Sequence, residues 1–109
     1  MALNVKSLAT AMLGAAKGKL QKNWPEVKEY AQTEARKTAD TLASIERLVV
    51  AGQINSKQAK ALLRMQRNSA QAVLLTIEGL GLLTVESAIN AALGAVRETV
   101  NGAVGFALL

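Results

Sequence analysis

The sequence predicts an all-α protein, and three observations predict it. Half of the 109 residues are apolar, and most of these are Ala, Leu and Val rather than aromatics; only Trp24, Tyr30 and Phe106 carry aromatic rings. Ala and Leu are strong helix formers, and a lone proline, Pro25, leaves long stretches free of helix breakers. Apolar positions then recur at spacings of three and four, the period of a helix with one buried side. The length suits a single helical domain over residues 1–109. Its expected parts are a basic amphipathic helix (1–22), a helical hairpin (23–78) and an apolar Ala/Gly-rich last helix (79–109). Together they predict an antiparallel hairpin of helices two and three, extended at both ends into a four-helix-bundle-like and oligomeric fold.

The first helix is expected from about Asn4 to Leu20, with Val5, Leu8, Met12 and Ala15 on one side. Gly14 and Gly18 weaken it. Residues 1–22 hold Lys6, Lys17, Lys19 and Lys22 and no acid, the composition of an organelle-targeting segment. A secretory signal fits poorly, because no apolar run is unbroken and the lysines lie at the wrong end. A surface helix of the mature protein is the expectation.

The second helix starts in KNWPEV. Asn23 is expected as its cap, with Glu26 reaching back in a capping box and Pro25 in the first turn. From there Ala31, Ala35, Thr38, Leu42, Ile45 and Val49 form a seam at alternating spacings of four and three. VVAGQINSKQ ends this helix and begins the next: Gly52 can take the left-handed conformation, and Asn55 with Gln58 forms a second capping box. So short a loop places the two helices side by side. The third helix buries Ala59, Leu62, Leu63, Ala70, Val73, Leu74 and Ile77. Lys57, Lys60, Arg64, Arg67 and Gln71 occupy the opposite stripe. In EGLGLLT, Gly79 and Gly81 predict a break and Thr84 a new cap, although a helix running straight through stays open. The last helix carries Val85, Ile89, Ala92, Val96, Val100 and Ala103 at helical spacing, and its end, NGAVGFALL, is expected to fray unless held.

Residues 72–96 carry only two charges, Glu78 and Glu86. A spanning helix wants roughly 20 mainly apolar residues, and the uncharged runs 87–96 and 99–109 fall short. No conventional transmembrane helix is therefore expected. Yet the last helix has almost no polar side, and a small chain has difficulty surrounding such a helix alone. The expected remedy is self-association through Val85, Ala88, Ile89, Ala91, Ala92, Ala95 and Val96, whose small members allow close helix approach.

Chemistry is largely excluded. The chain has no histidine and no cysteine, which removes the commonest general base, the commonest transition-metal ligand and any thiolate nucleophile. No catalytic, metal or cofactor-binding residues are assigned, and no small-molecule substrate is expected. Glu26 and Glu29 share a face, as Glu78 and Glu86 approximately do, but carboxylates among so many lysines and arginines are expected on solvated, ion-paired faces.

Two features point to partners. The stripe Lys57, Lys60, Arg64 and Arg67 has no acidic neighbour within residues 56–71 and could meet phosphates of an anionic membrane surface or, less readily, of nucleic acid. The absence of interleaved aromatics argues against single-strand recognition. Trp24, at the start of the second helix, is a candidate interface anchor, with a corner packed between the first two helices as the plainer role. The expected function is that of a non-enzymatic structural protein that self-associates or joins another structural protein. A membrane-active or conduit-forming protein is the first alternative; its Ala/Gly-rich texture resembles small helical proteins of bacteriophage virions in composition only. A nucleic-acid-packaging protein is the second. Virion association or a membrane-peripheral location would fit these readings.

Overall fold

The computed structural model describes residues 3–109; Met1 and Ala2, the start of the expected basic segment, lie outside the described residues. Four helices run in order: α1 (Val5–Lys19), α2 (Trp24–Val50), α3 (Ser56–Leu75) and α4 (Leu82–Val104), with a short 3₁₀ turn at Gln21–Asn23. No strand occurs among the described residues. The helices pack compactly into a bundle 42 × 22 × 18 Å across, whose long axis matches the roughly 40 Å rise of the longest helix, α2.

Each helix end has a local cause. Asn4 caps α1, its side chain accepting from the Ser7 N–H at 2.9 Å. Asn23 stands at the N-cap of α2 as expected, but its side chain makes no capping bond. The 3₁₀ turn is the reason. Asn23 N–H already donates to the Leu20 carbonyl at 2.9 Å, and Trp24 N–H donates to the Gln21 carbonyl, so the chain enters α2 already coiled. Ahead of α3, Asn55 and Gln58 exchange both bonds of a capping box, at 2.8 and 2.9 Å. Gly52, in the turn before it, has φ +71°. The chain breaks between α3 and α4, where Gly79 takes φ +91°. The start of α4 differs from expectation: Gly81 is its N-cap and Thr84 lies inside the first turn. Gly81 holds an extended backbone, which frees α4 to begin three residues earlier.

One hydrophobic cluster draws on all four helices. Met12, Leu20, Val27, Leu42, Ile45, Val85 and Val100 are its largest fully buried members. Around the bundle the order is α3, α2, α1, α4: α4 packs most extensively on α1, and α3 on α2, while α3 and α4 touch each other sparingly despite being consecutive. The C-terminal segment is held rather than frayed. Gly105 turns the chain at φ +85°, and Asn101 Oδ1 accepts from the N–H groups of Leu108 and Leu109 at 3.0 and 2.9 Å. Leu108 is thereby folded back into the core.

Candidate functional site: a cationic seam

Sparse contact between α3 and α4 leaves a groove of about 290 Å³ along their junction. Its rim is cationic. Lys60, Arg64 and Arg67 project from successive turns of α3, and Arg97 comes from α4. Its floor is apolar, made by Leu63, Leu93 and the returning tail residues Leu108 and Leu109. The helical period explains the division: Leu63 lies one residue from Arg64 and points inward, while the cations hold the outer stripe.

Among the described residues, carboxylates lie within ion-pair distance of only two cations, Arg36 and Lys37 on α2. None of the four seam cations has such a partner. Neighbours at Lys60/Arg64 and Arg64/Arg67 repel, each pair by ~0.2–0.5 kcal/mol on a helix. An anion in the groove would relieve this repulsion. Arg67 is half-buried and donates from Nη2 to Asn90 Oδ1 on α4, which orients its guanidinium across the seam. Of the residues singled out from the sequence, Lys60, Arg64 and Arg67 are brought together here. Lys57, one turn earlier, is exposed but does not line the groove. Arg97 joins them through tertiary packing, and no pattern along the chain links it to α3.

The same face continues toward the α3–α4 turn. Leu83, Asn90 and Arg97 recur every seven residues and so follow one line along α4. Leu83 is 82% exposed, its neighbour Leu82 is also exposed, and so is Leu75 at the end of α3. The seam carries the cations, and Leu83 stands beyond it in a shallow depression shared with Lys19, Glu86 and Asn90.

The residues expected to meet a second copy are placed differently. Val85, Ala88, Ile89 and Val96 are buried within the chain itself, because α1 lies along this side of α4. Ala91 and Ala92 are half-buried, and only Ala95 is exposed. Trp24 is half-buried at the α1–α2 corner, with Lys17 Nζ 5.3 Å from its ring centroid, a cation–π contact worth ~0.5–1 kcal/mol at an exposed site.

Two carboxylates belong to the interior. Glu34 and Glu46 are 4% and 3% exposed, against the expectation of solvated faces. Helix packing is the reason: Glu46 meets the chain entering α1, accepting from the Leu3 N–H, and Glu34 points toward the centre of the bundle. Glu34 Oε2 receives Lys37 Nζ at 3.4 Å, while Oε1 has no protein partner. Glu34 lines a core cavity of about 50 Å³ to which every helix contributes, with Thr38, Arg67, Ala70 and Ala92 among its walls. Leu63, Arg67 and Leu93 border both this cavity and the groove. Glu26, Glu29 and Glu78 are exposed and Glu86 is half-buried. No helix is long and apolar enough to cross a membrane among the described residues. No family model matches the chain, and neither a curated protein nor a solved structure matches it.

Proposed function

We propose that this protein is a non-enzymatic helical module that docks on an anionic membrane surface through the seam between α3 and α4. The observation that carries this reading is the convergence of Lys60, Arg64, Arg67 and Arg97 over an apolar floor with no carboxylate partner. Magnitudes shape the rest. Each Lys or Arg near an anionic leaflet contributes about 1 kcal/mol, so four contribute about 4 kcal/mol. That alone corresponds to an affinity of only about 1 mM. The leucines must supply more, and a buried Leu side chain is worth ~1.5–3 kcal/mol. Leu82 and Leu83 are exposed at the end of the same face and can enter the headgroup boundary. Nucleic acid is less favoured, since no aromatic residue lines the groove for base stacking and its floor is apolar.

Vesicle flotation tests the reading. The protein should float with phosphatidylglycerol vesicles and not with phosphatidylcholine vesicles. Binding should weaken steeply with salt. Replacing Leu82 and Leu83 with Ser should weaken it at least tenfold, as should replacing the four seam cations with Gln. Equal binding to both vesicles would refute the role of charge. Duplex DNA binding that ignores the leucine variant would replace the membrane by nucleic acid.

A second reading, self-association through α4, rests on Ala95 and Ala91, small residues one turn apart on a flank the chain does not fully cover. It predicts a mass in solution that rises with concentration and falls on Ala95→Leu. A monomer at every concentration removes it.

A further inference from the structure

We infer that the seam is a pocket for one single-chain anionic amphiphile, its phosphate or carboxylate head held by Arg64 and Arg97 and its alkyl chain lying on Leu63, Leu93, Leu108 and Leu109. The inference rests on the reading of the seam as an anion-binding surface and adds a defined occupant. A flat docking surface needs no recessed floor, whereas this groove has one. At about 290 Å³ it lies just below the ~300–1,000 Å³ typical of ligand pockets. That is room for one chain and not for a two-chain lipid.

Each end is bounded by a held group. The tail end is fixed because Asn101 Oδ1 holds the N–H groups of Leu108 and Leu109. At the inner end stands Arg67, which Asn90 holds across the seam. Beyond Arg67 lies the core cavity, lined mainly by apolar side chains but only about 50 Å³ in volume, too small to take the rest of an alkyl chain. Lys60 and Arg67 are seven residues apart, so the floor is roughly 10 Å long at 1.5 Å rise per residue. The planar forks of Arg64 and Arg97 match a phosphate or carboxylate in bidentate fashion, which a neutral head cannot exploit.

Calorimetric titration of the full chain with butyl, hexyl, octyl and dodecyl phosphate, each below its micelle concentration, tests the pocket. Affinity should rise about two- to fourfold per added methylene, the upper value matching ~0.8 kcal/mol per buried CH₂. It should level off once the chain outgrows the ~10 Å floor. Inorganic phosphate should bind at least tenfold more weakly than octyl phosphate, and octyl glucoside should not bind. Arg64→Gln with Arg97→Gln should lower affinity about tenfold or more across the series while keeping the slope. Leu109→Ser should flatten the slope while leaving inorganic phosphate unaffected. Affinity independent of chain length overturns the pocket and leaves surface docking standing. Equal binding of octyl glucoside overturns it as well. Chain-dependent binding without any flotation on anionic vesicles keeps the pocket and removes the docking function.

Discussion

The two sides of α4 face opposite fates. Toward α1, Val85, Ala88, Val96 and Val100 are buried in a continuous core. Toward α3, Asn90 and Arg97 line an open groove, and Leu83 stands in solvent. The difference lies in partner rather than in hydrophobicity alone. The short α1 presents Leu8 and Met12 and seals the first side, whereas α3 turns a stripe of cations toward the second and keeps its distance. One side thus stabilises the fold, and the other is left free to bind.

The sharpest way to break this comparison is to place the same charge on both sides. Val85→Asp should cost ~3–5 kcal/mol or unfold the chain, because it leaves an unpaired charge in the core. Leu83→Asp should change stability by no more than ~0.5 kcal/mol while abolishing flotation on anionic vesicles. Urea denaturation followed by circular dichroism measures both. Similar losses at the two positions would mean that the second side is structural too.

The turn ahead of α3 sharpens the point at smaller magnitude. Gly52 has φ +71° with open space around it, so Gly52→Val should cost ~1–2 kcal/mol through backbone strain alone. An unchanged melting temperature would show that this turn relaxes freely. Smallest of all is the effect of the seam cations on stability. Arg64→Gln with Arg97→Gln should leave stability unchanged or raise it by ~0.2–0.5 kcal/mol, since like charges are removed from one groove. A clear loss of stability would show that these arginines are tied to the fold.

What was legible in the sequence was local. The helical class follows from Ala and Leu content, and the Asn55–Gln58 pattern and the glycine break near Gly79 act within a few residues of themselves. What was not legible depended on neighbours distant in the chain. Asn23 has the right chemistry for a cap, but the 3₁₀ turn before it satisfied the backbone first. Glu34 and Glu46 read as surface charges because a helical period says which residues share a side, not which helix covers that side. The apolar excess of α4 suggested a missing partner, and α1 supplies cover for much of it from the far end of the chain. At the seam the α3 stripe was visible, but Arg97 joins it only when α4 folds back, and the tail forms the floor only because Asn101 turns it inward.

The central claim, that the α3–α4 face meets the membrane and the rest of the bundle does not, has a direct test. The chain has no cysteine, so single cysteines can carry an environment-sensitive fluorophore without background. Leu83→Cys lies on the proposed face, and Val50→Cys, 72% exposed at the end of α2, lies away from it. On adding anionic vesicles, the label at position 83 should shift to the blue and brighten, while the label at position 50 should not change. Equal shifts at both positions, or a shift at position 50 alone, would contradict the account.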